Sequence, residues 1–118
     1  ITSIKKNSFL NKKIDFYYEN KNVTPSWFGL SIKLLVNNKK YKYKIIKRLE
    51  KNGIETRPII SGNFAKQPGA KKYQLIDKQE YPNTDLVYNK SFFIGLPTKK
   101  IDNTFLKKIV SAFEKSFK

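Results

Sequence analysis

The chain has 118 residues, which suggests a single domain, and 39% of them are apolar with nine Phe, seven Tyr and one Trp, a globular composition and not that of a disordered tail. Lys and Arg number 25 against 9 Asp and Glu, a formal charge of +16 that would attract phosphates, nucleic acid or anionic membranes. The absence of Cys excludes a disulfide framework and thiolate metal sites, and the absence of His removes the commonest general base and metal ligand.

Arg48 and Arg57 are the only arginines, and many lysines sit beside Asn, as in Asn37-Asn38-Lys39-Lys40. Such a bias arises from codon usage as readily as from a specific anionic partner. No apolar run approaches the roughly 20 residues that span a bilayer, and no signal peptide is evident. The chain also lacks Met and starts at Ile1, the pattern expected of a piece cut from a larger protein.

Residues 1–24 are polar and read as irregular, with an aromatic cluster at Phe16-Tyr17-Tyr18. After Pro25, Phe28, Leu30, Ile32 and Leu34 recur at spacing two, which predicts a half-buried strand. Trp27 and Phe28, at the strand's start, are expected in the core. Tyr41, Ile45 and Leu49, with Ile46 beside them, recur every four residues and predict a helix that Asn38 caps and Gly53 ends. Lys39, Lys40, Lys42 and Lys44 read as its solvated face. Residues 54–60 form a second strand candidate, confined to an edge or a strand end by Pro58.

Residues 61–82 are loop-like, with Gly62, Pro68, Gly69 and Pro82. Asn83 or Thr84 is placed to cap a short helix running to about Lys90. The apolar run Phe92-Phe93-Ile94-Gly95-Leu96 reads as a buried strand. Asp102 caps a last helix whose Phe105, Leu106, Ile109, Val110, Phe113 and Phe117 share one face, the strongest periodic signal in the chain. The order strand, helix, strand, loop, helix, strand, helix predicts an α+β fold, a small mainly antiparallel sheet with helices packed on one face.

The segment Glu55-Thr56-Arg57-Pro58-Ile59-Ile60-Ser61-Gly62-Asn63-Phe64-Ala65-Lys66-Gln67-Pro68 carries the chemistry. Arg57 offers a rigid fork suited to carboxylate or phosphate. Asn63 and Gln67 both donate and accept hydrogen bonds, as sugar hydroxyls require. The Ser61–Asn63 turn is able to aim backbone N–H groups at an anion. In the plainer reading this is an ordinary turn in which Arg57 pairs with Glu55 or Asp85.

Gly53-Ile54-Glu55-Thr56-Arg57-Pro58, followed by Ser61-Gly62-Asn63 and Gln67-Pro68, resembles the DegT/StrS family, fold-type-I enzymes that use pyridoxal phosphate or pyridoxamine phosphate on sugar nucleotides. Ser26-Trp27-Phe28-Gly29, Asn83 through Asn89, and Ser91-Phe92-Phe93-Ile94-Gly95-Leu96-Pro97 resemble further pieces of that family's C-terminal small domain, in the same order. The resemblance implies that residues 25–118 are this small domain and that residues 1–24 are a linker or the edge of a missing large domain. The Gly-Asn-x-x-x-Gln-Pro version is most similar to the branch of 3-dehydratases acting on nucleotide-linked 4-keto-6-deoxy sugars, with sugar aminotransferases as near relatives. Thr98-Lys99-Lys100 after Pro97 departs from the Pro-Gly-like continuation expected there.

By the same resemblance, Arg57, Asn63, Gln67 and Lys66 bind substrate, Arg57 by neutralising a carboxylate or phosphate and Asn63 by contacting sugar or nucleotide. Tyr88 and Asn89 are left facing either the cleft or solvent. The cofactor belongs to the full-length enzyme and none is expected on this chain: the dehydratase His is absent, and no lysine matches the family's Schiff-base motif, so no catalytic residue is assigned. The implied partners are a nucleotide-sugar substrate, the missing large domain and a second copy in a homodimer, without membrane, in the cytoplasm. The competing reading from the charge is a basic nucleic-acid-binding module.

Overall fold

A computed structural model describes residues 1–36, 38–72 and 80–118. Four strands form one antiparallel sheet: β1 (Ile14–Phe16), β2 (Gly29–Leu34), β3 (Thr56–Pro58) and β4 (Ser91–Gly95), in the order β1-β2-β4-β3. The expected α+β class with a small antiparallel sheet is the class observed. Register explains the core. Leu34 lies opposite Ile14, Ile32 opposite Phe92 and Leu30 opposite Ile94, so the period-two pleat puts the large apolar side chains of three strands on one face.

Two long helices cover that face, α3 (Lys39–Lys51) and α6 (Asn103–Phe117). Ile45 and Leu49 of α3 and Phe113 of α6 are fully buried, and the Phe113 and Phe117 rings stack with centroids 6.3 Å apart. The predicted caps form: Asn38 accepts from Tyr41 N at 3.1 Å and Asp102 from Phe105 N at 2.7 Å. Helix α3 ends in a Schellman motif. Gly53 N donates to Glu50 O and Ile54 N to Leu49 O, with Gly53 at φ 81°.

Four expectations need correction. Residues 1–24 are not wholly irregular. They hold α1 (Thr2–Lys5), α2 (Ser8–Asn11) and the edge strand β1, and Ile4, Leu10, Ile14 and Phe16 join the common core. Elements of three or four residues are too short to leave a periodic signature, which is why the sequence shows none. Trp27 and Phe28 are not core: both are exposed, Phe28 at 78%. Strand β2 begins only at Gly29, so Phe28 lies outside the pleat and meets Phe93 edge-on, centroids 5.5 Å apart. Phe105 is also exposed, because the buried residues of α6 lie in its last turns, from Phe113 onward. Finally, α5 (Pro82–Lys90) starts ahead of the Asn83 or Thr84 caps expected, with Tyr81 at the cap position. Pro82 occupies its first turn, where a missing N–H costs nothing, and no side chain caps it.

Between β3 and α5 the loop-like region contains a 3-10 turn at Phe64–Lys66 and α4 (Pro68–Lys72). Residues 73–79 of the loop predicted over 61–82 lie outside the described residues.

Candidate functional site

The segment 59–67 leaves the edge strand β3 and runs as a strap in front of α5. Its path is dictated by short-range bonds. Gly62 N donates to Ile59 O at 2.7 Å and closes a turn. Gly62 sits at φ 68°, a left-handed conformation that costs other residues energy, and a Cβ there would lie 2.5 Å from Cδ2 of Tyr88. The glycine therefore lets the strap lie flat against the Tyr88 ring.

Asn63 is the strap's anchor and is only 3% exposed. Its Oδ1 accepts from Ala65 N at 3.0 Å, and its Nδ2 donates to Asp85 of α5 at 2.7 Å. Lys66 Nζ meets the same Asp85 oxygen at 2.6 Å. The Lys66 ammonium, and then the Asn63 amide, hold the Asp85 carboxyl below the ordinary aspartate range. Gln67 Nε2 donates to Ser61 O at 3.0 Å and draws the two ends of the strap together.

Behind the strap lies a cavity of about 600 Å3, lined by Thr56 of β3, Ile60, Gly62 and Gln67 of the strap, Lys42 of α3 and Tyr88 of α5. Of the four expected site residues, the structure brings Asn63, Lys66 and Gln67 together on one strap, and of these Gln67 lines the cavity. Arg57 stands elsewhere. It is 65% exposed by its side chain, its Nη2 is 2.6 Å from Glu55 Oε1, and it lines a second groove with Gly53, Leu96, Pro97 and Phe105. The Glu55 pairing is one of the two that the sequence allowed. Arg57 does not line the cavity behind the strap, and Asn63 lines neither that cavity nor the Arg57 groove.

Lys42 is the functional candidate that sequence reasoning missed, and the expectation that it belongs to a solvated face is wrong. It is 8% exposed, and its Nζ donates to Tyr88 O, in the last turn of α5, at 2.6 Å. Burial pushes its pKa below that of an ordinary lysine, and the nearby Lys39 pushes the same way. The signal was present. Lys42 precedes Ile45 by three residues and Leu49 by seven, so it stands on the apolar stripe of α3. Tyr88, whose direction the sequence left open, faces the cavity. Its ring has the Lys39 and Lys42 ammoniums at 5.1 and 5.7 Å from its centroid.

The described residues do not fit a pyridoxal or pyridoxamine phosphate pocket. Their one buried amine is tied to a main-chain carbonyl, and Glu50, the one carboxylate lining the cavity, accepts from Thr56 Oγ1 at 2.9 Å. Neither is placed to serve as a Schiff-base amine or as the acid on a pyridine nitrogen. No group of three or more metal-ligating side chains occurs among the described residues, and no helix there is long and apolar enough to cross a membrane. What the arrangement can do is bind and orient, with amides, lysines and one guanidinium.

No protein-family model matches the chain. Over 95 residues it is 34% identical to the lipopolysaccharide biosynthesis protein RfbH of Salmonella typhimurium, a match covering 79% of this chain and 21% of that protein. Over 72 residues it is 26% identical to the dTDP-4-dehydro-2,6-dideoxy-D-glucose 3-dehydratase of Saccharopolyspora spinosa, covering 61% of this chain and 16% of that enzyme. The chain thus spans about a fifth and about a sixth of the length of these curated relatives. Together with the motif that runs from Gly53 to Pro68, the two matches show that the chain belongs to the DegT/StrS family of sugar-modifying enzymes.

Proposed function

We propose that this chain is the C-terminal small domain of a pyridoxal- or pyridoxamine-phosphate enzyme acting on nucleotide-linked 4-keto-6-deoxy sugars, with 3-dehydration as the reaction. The observation that carries the reading is the match to a named sugar 3-dehydratase across a chain that also holds the Gly62-Asn63 and Gln67-Pro68 pairs. The cofactor supplies the electron sink for a sugar carbanion. Its binding groups belong to the remainder of the protein, the large domain, and a second copy completes the cleft.

Within that scheme the residues of this chain divide by what they touch. Asn63 spends both ends of its amide on Ala65 and Asp85, so it shapes the strap. Lys66 locks the same Asp85. Gln67 borders the cavity and presents its remaining amide capacity to sugar hydroxyls. Arg57, exposed and paired with Glu55, neutralises a phosphate or carboxylate brought against the edge of the sheet.

The test uses the complete protein encoded with this chain, assayed for loss of water from a nucleotide-linked 4-keto-6-deoxy sugar in the presence of pyridoxamine phosphate. Arg57→Ala is expected to raise KM by roughly ten- to a hundredfold, the worth of a hydrogen bond to a charged group, while cofactor absorbance stays unchanged. A complete protein that binds neither cofactor nor nucleotide sugar would sink the reading. Amino transfer in place of dehydration would move it to the aminotransferase branch. Retention of the chain on random single-stranded DNA with a steep salt dependence would favour the nucleic-acid reading, to which the +16 charge and the exposed Trp27 and Phe28 lend the only support.

A further inference from the structure

We propose that the cavity between α3, the strap and α5 is a binding site for a small oxyanion, a phosphate or a carboxylate, with Lys42 as its charged contact.

A lysine partly withdrawn from water needs compensation, because a buried charge with few partners is costly for a fold to carry. Among the described residues Lys42 has one hydrogen-bond acceptor, the Tyr88 carbonyl, for a group with three donors. No carboxylate lies within ion-pair distance of it among the described residues. The charged and titratable groups around it do not remedy this. Lys39 is a second cation at the same Tyr88 ring, and Glu50 is committed to Thr56. Tyr43 and Tyr88 are phenols, and the strap residues that line the cavity, Ile59 to Gly62 and Gln67, carry no charge.

The space beside the ammonium is not filled by protein. The cavity of about 600 Å3 is walled mainly by apolar atoms; Gln67, Ser61, Thr56, Ser91 and two tyrosines are the neutral polar residues on its wall, and Glu50 is its one carboxylate. The Thr56 hydroxyl already donates to Glu50, so the Lys42 ammonium, the Ser61 hydroxyl and the Gln67 amide are the donors of the pocket, a set that suits an oxyanion attached to a larger body. The fold also holds the pocket open by design of its backbone. Gly62 permits the strap to rest on Tyr88, and Asn63, Lys66 and Gln67 hold it there. The inference does not rest on the sugar reading: an oxyanion site at Lys42 would stand whatever molecule carries the anion.

The test is a titration of the chain with inorganic phosphate, and separately with acetate, at constant ionic strength, followed through the Cε and Nζ resonances of labelled lysines. Lys42 is expected to shift along a saturable curve in the millimolar range with at least one of the two anions. The exposed Lys40 and Lys44 should respond weakly and linearly, as surface lysines of a highly basic protein do. Tighter binding of phosphate assigns the site to phosphate esters, and tighter binding of acetate to carboxylates. Lys42 should also titrate at higher pH with the anion bound than without it, a change that non-specific association would not produce. Lys42→Met should weaken the saturable component at least about tenfold, and Gln67→Ala by a smaller factor. Lys42 resonances that move no more than those of Lys40 would overturn the proposal, as would saturable binding that survives in Lys42→Met. If Lys42→Met fails to fold, the comparison of Lys42 with Lys40 in the unaltered chain decides alone. Should the complete protein dehydrate its sugar while phosphate and acetate leave Lys42 unmoved, this site falls and the proposed function stands.

Discussion

The two sides of this molecule are held together by different forces. On the helix-covered face of the sheet, Ile32, Leu34, Ile45, Leu49, Phe92 and Phe113 are shielded from water entirely. On the strap, Ile60 is 86% exposed and Phe64 is exposed as well. The first side is stabilised by apolar area, roughly 1.5–3 kcal/mol for each large side chain buried, and responds little to pH or salt. The second is stabilised by a few polar bonds meeting at Asp85 and by one glycine against one ring. Regions built in the second way open locally at lower cost than the global transition. A segment that must admit a ligand is expected to be of that kind.

The largest effect should come from the helix-covered face. Phe113→Ala removes a fully buried ring stacked on Phe117 and is expected to cost about 3–5 kcal/mol. That is a large share of the roughly 5–15 kcal/mol that holds a typical domain. Urea unfolding followed by circular dichroism measures it. A loss below about 1 kcal/mol would show that the distinction between the two regions is misplaced.

Next in size is a pair of alanine substitutions that isolates the contact between strap and α5. Gly53 and Gly62 both adopt positive φ, 81° and 68°. A Cβ on Gly53 meets open space, whereas one on Gly62 runs into Tyr88. Gly53→Ala should therefore cost only the backbone penalty, about 1–2 kcal/mol. Gly62→Ala should cost that plus displacement of the ring, and its effect should concentrate in the hydrogen exchange of residues 60–67. Equal losses from the two would mean that the strap does not rest on Tyr88.

The same contrast explains what could be read from sequence. Helices α3 and α6, their Asn38 and Asp102 caps, the Gly53 stop and the strands at 29–34 and 91–95 were legible because periodicity and capping are local. The strap was legible as chemistry, since Arg57, Asn63, Lys66 and Gln67 are conspicuous by type, but not as geometry. Which side chains would share a cavity depends on how α3, the strap and α5 pack together, and these are separate stretches of the chain. That packing sets Arg57 in another groove and puts Gln67 and Lys42 on the wall of one cavity. Lys42 itself was overlooked because charge was allowed to override position: a lysine three residues before Ile45 lies on the buried stripe whatever its charge. Phe28 and Phe105 failed in the opposite direction, as aromatics whose spacing matched a face that ends before it reaches them.

The smallest and most diagnostic effect concerns pH. Asp85 is held below the ordinary aspartate value of 3.8 by Lys66 and Asn63. A depressed carboxyl contributes stability that is fully present above the unfolded-state value and is lost as pH falls through the lower folded value. Acidification below about pH 4 should therefore loosen the strap, seen as faster amide exchange at residues 62–67. Asp15, lowered chiefly by its bond to Lys5, responds in the same sense on β1, so bulk acid unfolding would not separate the two. Asp85→Asn does. It keeps an acceptor for Asn63 but deletes the ion pair to Lys66, and should flatten the acid response of the strap alone while leaving that of β1 intact. Because Lys66 is more than half exposed, 1 M salt should reproduce part of the loss at neutral pH. If the strap's exchange stays constant through acid and salt, polar bonds at Asp85 are not what holds it, and its tie to α5 must come from the Gly62–Tyr88 contact alone.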